Sequence, residues 1–166
     1  IDLHDTNIAQ KVEIIIEHFR ANVAGCLDGK AKAMVITSSR PAAVKYRKAF
    51  DEYIHAKGYT GIQALVAFSG KVKLKGDTRE YTEVQMNDGI KEDELRFEFD
   101  RSCYQVLIVA DKYQTGFDQP KLVAMYVDKR LRKIPAVQTL SRLNRICPPY
   151  DKKTFILDFR NSYDDI

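Results

Sequence analysis

The chain has 166 residues, of which 45% are hydrophobic, so it is long enough for a single domain with a substantial core. Its formal net charge of +4 is too small to identify a nucleic-acid-binding protein by itself. We see no signal peptide and no apolar run near eighteen residues, so we expect a soluble, cytoplasmic protein with no membrane partner. Its three cysteines match no disulfide framework or metal spacing and are expected to be reduced thiols.

The first half of the chain is expected to contain two helices and two strands. In chain order, we predict a helix over 7–23, a strand over 33–37, a helix over 41–57, a strand over 62–68 and a polar loop over 69–82. Asn7 is the predicted N-cap of the first helix, Pro41 suits the first turn of the second, and Gly58 suits its end.

The second half predicts three further strands and a helix. In chain order, we expect acidic helical turns to about residue 99, strands over 104–109 and 122–127, a helix over 135–144 and a strand over 154–158. The strands are continuously apolar and separated by helices, which indicates a parallel sheet buried on both faces. We therefore predict a three-layer α/β fold, in which residues 1–166 form one domain with helices on both faces of a mostly parallel sheet.

Polar residues follow three of the predicted strands. Ser38, Ser39 and Arg40 follow the first strand, Ser69 and Gly70 follow the second, and residues 111–118 follow the third. Ligands of open parallel sheets gather at the carboxyl ends of the strands, so three such clusters favour a functional edge. Each cluster alone is also what an ordinary turn requires.

The segment Gln138-Thr-Leu-Ser-Arg-Leu-Asn-Arg145 is the most informative part of the chain. A helix would place Gln138, Arg142 and Arg145 on one face, at i, i+4 and i+7, with Val137, Leu140 and Leu143 on the opposite side. No acid lies between Asp128 and Asp151, so neither arginine has a local partner. Two unpaired guanidinium groups facing one way suit a phosphate. The alternatives are a solvated helix face or ion pairs with distant acids.

A complete nucleotide site is not found in this sequence. The nearest match to a P-loop, residues 25–31, is one residue short, lacks the Ser or Thr that ligates magnesium, and follows a helix instead of a strand. The chain therefore has arginines suited to a phosphate and no loop to hold one. The simplest resolution is an arginine finger donated to a nucleotide held by another domain, which can contribute about 10³–10⁵ in rate.

Four motifs in the order found here resemble the second RecA-like domain of superfamily 2 helicases, and within that group the motor (R) subunit of type I restriction-modification enzymes. They are Ser38-Ser-Arg40, Phe68-Ser-Gly70, Val106-Leu-Ile-Val-Ala-Asp-Lys-Tyr-Gln-Thr-Gly-Phe-Asp-Gln-Pro120 and Gln138-Thr-Leu-Ser-Arg-Leu-Asn-Arg145. Met125-Tyr-Val-Asp-Lys129 also matches those subunits. Many helicases have Gly where Ser141 stands, but Ser is what the restriction motors resemble.

The resemblance implies a role for each matching residue. Arg145 would be the arginine finger, with Arg142 its companion at the γ-phosphate and Gln138 beside them. Thr115 would contact the nucleic-acid backbone, and Gly116 and Asp118 would link that contact to the nucleotide. The DNA-binding residues would then be Ser38, Ser39, Arg40, Ser69, Gly70 and Thr115. Without the resemblance, Thr115 and Gly116 could be ordinary turn residues and Asp118 a cap.

At the level of the whole enzyme, the resemblance implies a double-stranded DNA translocase driven by ATP and Mg²⁺. Both would be held mainly by an upstream RecA-like domain. The other expected partners are a nuclease domain of the same subunit and separate modification and specificity subunits. The chain starts at Ile1 and stops at Asp-Asp-Ile, so we expect a fragment that alone hydrolyses no ATP. The competing interpretations are another superfamily 2 helicase and a non-catalytic α/β module that binds nucleic acid or protein.

Two further groups of residues, three lysines and two aromatic residues, each allow two interpretations. Lys71, Lys73 and Lys75 alternate in the predicted polar loop and would either steer DNA or form a solvated fringe. Tyr113 and Phe117 would either stack on a base or pack in the core.

Overall fold

The computed structural model describes the backbone of residues 3–113, 117–131 and 133–160, and the side chains of residues 7–113, 117–131 and 137–160. In chain order the strands are β1 (Lys32–Thr37), β2 (Ala64–Ala67), β3 (Val72–Lys73), β4 (Glu80–Tyr81), β5 (Val106–Val109), β6 (Leu122–Asp128) and β7 (Phe155–Asp158). Five of them form a parallel sheet in the order β2-β5-β1-β6-β7, and β3 and β4 form a separate antiparallel ribbon.

The helices are α1 (Leu3–His18), α2 (Arg40–Lys57), α3 (Glu83–Met86), α4 (Leu95–Phe99) and α5 (Lys133–Leu140). A π-helical turn, Phe19–Val23, continues α1. The predicted cap at Asn7 is wrong because α1 already begins at Leu3; each residue added to a helix gains a backbone hydrogen bond, so the helix propagates past a polar residue. Pro41 lies in the first turn of α2, and Gly58, at φ +69°, ends it as predicted.

Alternate residues of the sheet face two separate hydrophobic cores. Val35 and Ile108 pack with the apolar side chains of α1 and α2 on one face. Met34 and Leu107, one position earlier on the same strands, pack with Leu95 and other apolar residues on the opposite face. All four strand residues are at most 1% exposed, as expected of strands covered on both sides. The predicted three-layer α/β architecture is therefore confirmed.

The predicted loop over 69–82 contains the short β3–β4 ribbon, so its assignment as structureless was wrong. Val72 is 3% exposed and faces the protein, whereas Lys73 is exposed and lies opposite Glu80. The turn contains Gly76 at φ +81°, and the backbone N–H of Asp77 donates to the carbonyl of Leu74 at 3.0 Å. Two-residue strands are too short for a period-2 pattern to distinguish them from a loop.

The outer edge of β2 is completed by side chains instead of another strand. The Oδ1 atom of Asn87 accepts the Val66 N–H at 2.9 Å, and its Nδ2 atom donates to the Val66 carbonyl at 2.7 Å. One turn earlier, the carboxylate of Glu83 accepts the Phe68 N–H at 3.0 Å. Asn87 and Glu83 therefore satisfy the buried backbone groups that an edge strand would otherwise expose.

Replacing Asn87 by alanine is expected to lower the free energy of unfolding by roughly 2–4 kcal/mol, because the N–H and carbonyl of Val66 would be buried without partners. Urea unfolding of the chain would measure the change. Asn22→Ala is the matched control: Asn22 is exposed and makes one backbone contact at 3.3 Å, so its loss should cost less than about 0.5 kcal/mol. Equal effects of the two substitutions would contradict this role of Asn87.

Candidate functional site

The strands that precede the three predicted polar clusters end side by side at one edge of the sheet. The strands that precede them, β1, β2 and β5, are parallel neighbours in the order β2-β5-β1, so their carboxyl ends lie side by side. Thr37, the last residue of β1, donates its hydroxyl to the Val109 carbonyl at the end of β5, at 2.7 Å. The turns that follow the three strands therefore form a single edge, as the sequence predicted.

Residues 38–40 connect β1 to α2 through a helix cap. Ser39 has an extended backbone, and its Oγ atom accepts the Ala42 N–H at 3.1 Å, which makes it the N-cap. Ser38 beside it is exposed. The first turn of the 18-residue α2 carries no acid, so the partial positive charge of its N-terminus stays uncompensated there. This is an environment that favours an anion.

Arg40 joins the first two clusters. Its Nη1 atom donates to the carbonyl oxygens of Ser69, at 2.9 Å, and Lys71, at 3.4 Å. Between these two residues, Gly70 adopts φ +72°, and a Cβ atom there would lie 3.0 Å from the same Nη1. The backbone conformation therefore favours glycine here, and a Cβ atom would also displace the Arg40 guanidinium group. Arg40 holds the Ser69–Gly70 turn against the start of α2.

The loop after β5 is anchored at its start by Lys112. Its Nζ atom lies 3.0 Å from carboxylate oxygens of Glu83 and of Glu92. Burial lowers the pKa of Lys112, but the hydrogen bonds to Glu92 and Glu83 outweigh burial and hold the pKa above its ordinary value. Asp111 and Tyr113, on either side, have positive φ angles of 64° and 59°, a conformation that costs most residues energy and often marks functional loops.

Glu83 links this loop to the Ser69–Gly70 turn. It is 5% exposed, and one oxygen accepts both from Lys112 and from the N–H of Phe68, which immediately precedes Ser69. Its other oxygen is buried and has no hydrogen-bond partner within the described ranges. Sequence reasoning missed Glu83, because a single acid in an acidic stretch has no pattern. Lys112 lies within a predicted cluster, but its contact with Glu83 was not foreseen.

Two of the predicted site residues, Thr115 and Gly116, lie outside the described residues. On their carboxyl side, Phe117 is 1% exposed and its ring centroid lies 5.2 Å from that of Tyr113. Phe117 therefore packs in the core, and Tyr113 packs partly against it. Asp118, the next residue, is exposed.

The segment 138–145 is not one continuous α-helix. Helix α5 ends at Leu140, a 3₁₀ turn covers Ser141–Asn144, and Arg145 has an extended backbone with φ −65° and ψ 126°. The hydroxyl of Ser141 donates to the carbonyl of Gln138 at 2.9 Å, a local bond that competes with the regular helical pattern. The prediction that Gln138, Arg142 and Arg145 share one α-helical face is therefore wrong, because Arg142 lies in the 3₁₀ turn and Arg145 in extended backbone.

The predicted apolar side of this segment is only partly correct. Leu143 is 2% exposed and packs in the core next to the half-buried Leu140. Val137, in contrast, is 60% exposed. The predicted apolar side is therefore present at Leu140 and Leu143, but not at Val137.

The two arginines have different surroundings. The Nη2 atom of Arg145 lies 2.7 Å from the Oδ2 atom of Asp118, which is 27 positions earlier, so the prediction of two unpaired arginines is wrong for Arg145. Both side chains of this pair are more than half exposed, at 58% and 56%. The Nε atom of Arg142 is buried and finds no hydrogen-bond partner among the residues that the structure describes. Gln138 is exposed at the end of α5.

The described part of the chain offers no metal site and no membrane span. No three His, Cys, Asp or Glu side chains come together there in a way that suits a metal ion. No helix in that part is long and apolar enough to cross a bilayer. Cys26, Cys103 and Cys147 are free and half-buried.

Two solved structures show the fold. The ATP-dependent type ISP restriction-modification enzyme LlaBIII bound to DNA matches 97% of this chain with a TM-score of 0.57 and 15% identity, over 10% of its own chain. The C-terminal domain of the DEAD-box protein Dbp5 matches 95% of this chain with a TM-score of 0.52 and 12% identity, over 73% of its own chain. The domain therefore has the RecA-like α/β fold of these structures.

Two curated relatives indicate the family. The MjaVIIP endonuclease subunit, named for a type I restriction enzyme of Methanocaldococcus jannaschii, is 31% identical in an alignment of 144 positions that covers 76% of this chain. The HindI endonuclease subunit of Haemophilus influenzae, also of a type I restriction enzyme, is 28% identical over 70% of this chain. The chain spans only 12% and 11% of the lengths of these two relatives.

A protein-family model identifies the domain within such subunits. The model described as type I restriction enzyme subunit R domain 3 matches residues 66–161, more than half of the chain, including both the Ser69–Gly70 turn and the Arg142–Arg145 segment. The chain therefore belongs to the type I restriction enzyme R subunit family.

Proposed function

We propose that this chain is the second motor domain of an ATP-dependent double-stranded DNA translocase within a type I restriction endonuclease. In this proposal residues 1–166 are a single RecA-like domain that closes on an upstream RecA-like domain around ATP and Mg²⁺. The wider assembly includes a nuclease domain in the same subunit and separate modification and specificity subunits. The relatives named for such enzymes support this context, and each is several times longer than the chain.

The observation that carries the proposal is the exposed pair between Arg145 and Asp118. An ion pair with both partners more than half in solvent is worth about 0–1 kcal/mol, so Arg145 can leave Asp118 for a stronger anion at little cost. A nucleotide phosphate is such an anion, and a guanidinium group can bind it through two hydrogen bonds. Asp118 thus holds Arg145 until another domain brings the phosphate.

Arg142 and Gln138 are assigned to the same nucleotide side. The Nε atom of Arg142 is buried and has no hydrogen-bond partner among the described residues, which supports a role for this side chain toward an anion brought by another domain. We propose Arg142 and Arg145 as the catalytic arginines at the γ-phosphate, with Gln138 and Asp118 as nucleotide contacts. Gly116 belongs to the same proposal through its position in the motif.

The DNA side of the proposal uses the turns joined by Arg40. Ser38, Ser39 and Arg40 stand at the uncompensated N-terminus of α2, and Ser69 and Gly70 are fixed to them by the Arg40 hydrogen bonds. These groups present hydroxyls, backbone N–H groups and a positive charge, which are the usual contacts to phosphate oxygens of DNA. Thr115 is proposed as a further backbone contact.

The chemistry of the donors argues that ATP and Mg²⁺ are held mainly by the upstream domain. The residues described here supply cations and N–H donors for phosphates, but no cluster of acids that suits Mg²⁺. Residues 25–31, the P-loop-like string, precede β1 and so lie at the amino edge of the sheet. When bound, the metal would neutralise charge on the phosphates; this chain would add the two arginines.

The isolated chain is expected to hydrolyse no ATP, because it offers arginines without a phosphate-binding loop. Fused to its native upstream domain, it should show ATPase activity that duplex DNA stimulates. Release of inorganic phosphate from both proteins, with and without DNA, would test this. Turnover by the isolated chain, or a fusion with no turnover despite bound ATP, would contradict the proposal.

A further inference from the structure

A basic cleft of about 540 Å³ lies between α1, α2 and the β3–β4 ribbon. Its charged lining consists of the bases Lys45, Lys48, Lys75 and Arg79 and the acids Glu52 and Asp77. Four cations against two anions leave a net positive charge. Apolar side chains, among them Ile8, Ala49 and Leu74, form the rest of the lining, so that charges here are screened less than on a flat surface.

Asp77 organises the ribbon side of the basic cleft. Its carboxylate accepts hydrogen bonds from the Tyr81 hydroxyl and from the backbone N–H of Arg79 at 2.9 Å, and the Arg79 side chain lies 3.3 Å away. The Tyr81 and Arg79 hydrogen bonds hold the pKa of Asp77 well below its usual range. Lys48 lies 3.7 Å from the same carboxylate and donates to the Tyr81 hydroxyl at 3.1 Å. One acid therefore positions two cations at the mouth of the cleft.

Lys75 contributes a cation that is not used internally. It follows Leu74 at the tip of the ribbon and is exposed, and its ammonium group forms no hydrogen bond or ion pair with the part of the chain that the structure describes. The same cavity is thus lined by two cations held by Asp77, Lys48 and Arg79, and by the exposed Lys75. A partner with several negative charges would satisfy all three.

The basic cleft is continuous with the proposed DNA-binding edge. The ribbon starts two residues after Gly70, and Arg40 donates both to the Ser69 carbonyl and to the Lys71 carbonyl at the base of the ribbon. A DNA strand that contacts the Ser69–Gly70 turn would therefore reach the cleft along the same surface. Continuity and charge both favour DNA over an acidic protein as the occupant.

We propose that the basic cleft binds the phosphate backbone of double-stranded DNA, as an extension of the contact made by Arg40 and the two serine turns. This inference rests on the proposed function. Bound phosphates would release condensed counterions, so the contribution of the cleft would depend on salt. The ribbon, for which the helicase motifs themselves give no role, would lengthen the path of DNA across this domain.

The test uses the intact R subunit carrying Lys45→Gln together with Lys75→Gln. We expect the affinity for duplex DNA to fall roughly tenfold at about 0.1 M salt, and the slope of log affinity against log salt to decrease by about 1 to 2. Lys57→Gln with Lys91→Gln is the matched control, because it removes the same charge from exposed positions at the end of α2 and after α3. The control should keep both the affinity and the slope.

Four outcomes decide between the alternatives. If the salt slope of the cleft variant is unchanged while Arg40→Ala weakens DNA binding, the proposal that the cleft binds DNA is wrong, and the proposed function stands. If no variant weakens DNA binding and Arg145→Ala retains turnover, the proposed function fails as well. If the cleft variant assembles less well with the other subunits but keeps its DNA affinity, the cleft contacts protein. If the control loses as much DNA affinity as the cleft variant, the effect comes from the net charge of the domain. Either result contradicts the proposal that the cleft binds DNA. If the double variant unfolds, Lys75→Gln alone, at the exposed tip, is expected to lower the slope by about 1.

Discussion

Replacing Arg145 by alanine in the intact subunit is expected to reduce DNA-stimulated ATP hydrolysis about a thousandfold, with ATP binding largely retained. The effect follows from the position of Arg145, which is exposed and held only by an exposed pair with Asp118. Removing it costs the folded domain little, because such a pair is worth at most about 1 kcal/mol. The substitution removes the positive charge that would stabilise the negative charge developing during phosphoryl transfer. Steady-state turnover and ATP affinity, measured on the same variant, would distinguish a loss of hydrolysis from a loss of ATP binding.

Arg101→Ala provides the matched control for this experiment. Arg101 is 59% exposed and forms a 2.9 Å ion pair with Glu98, so it has the same kind of environment as Arg145. It precedes β5 and lies outside the motifs to which the nucleotide contacts are assigned. We expect Arg101→Ala to retain turnover. If Arg145→Ala also retains it, a non-catalytic binding module becomes the better interpretation.

The fold was predictable because its strands are continuous apolar runs. Residues 33–37 and 122–127 have hardly a polar side chain, and in the structure they form adjacent strands buried on both faces. Cap residues were informative where the local geometry requires one residue type, as at Gly58, where φ is +69°. Asn7 misled because an asparagine is also tolerated within a helix.

The candidate site was predictable as a set of motifs, but not as a set of contacts. The pair between Arg145 and Asp118 joins residues 27 positions apart, and no local pattern encodes it. The same holds for Glu83, which binds Lys112 and the Phe68 N–H across two loops. The roles given to Thr115 and Gly116 remain predictions, since both lie outside the described residues.

The prediction of one helix face over residues 138–145 is wrong for a physical reason. It assumes a rotation of 100° per residue throughout, whereas the chain tightens to a 3₁₀ turn after Leu140 and becomes extended at Arg145. This change of geometry leaves Arg145 able to reach Asp118. The departure from regular structure therefore creates the contact from which the proposed function is argued.

Replacing Asp128 by asparagine is expected to lower the free energy of unfolding by roughly 3 kcal/mol at neutral pH. Asp128 ends β6 and is 4% exposed. Its carboxylate accepts from Lys11 of α1 at 3.0 Å, from the Tyr46 hydroxyl of α2 at 2.7 Å and from Arg160 after β7 at 2.8 Å. Neutralising this one group would leave two cations near the core without their counter-charge and would loosen α2, which carries Ser39 and Arg40.

The pH dependence of unfolding gives this prediction a second measurement. Burial raises the pKa of Asp128, but the hydrogen bonds from Tyr46 and Lys11, together with the charge of Arg160, outweigh burial and hold it below its ordinary value of 3.8. A carboxyl group with a lowered pKa in the folded state stabilises the protein above the unfolded pKa, and this stability is lost as the pH falls through the folded value. The difference between the wild type and Asp128→Asn should thus be constant near neutral pH and shrink below about pH 3.8. The exposed Asp151→Asn should change the unfolding free energy by less than about 0.5 kcal/mol at neutral pH. A wild-type advantage that grows on acidification would contradict the assignment of Asp128 as the charged centre of this network.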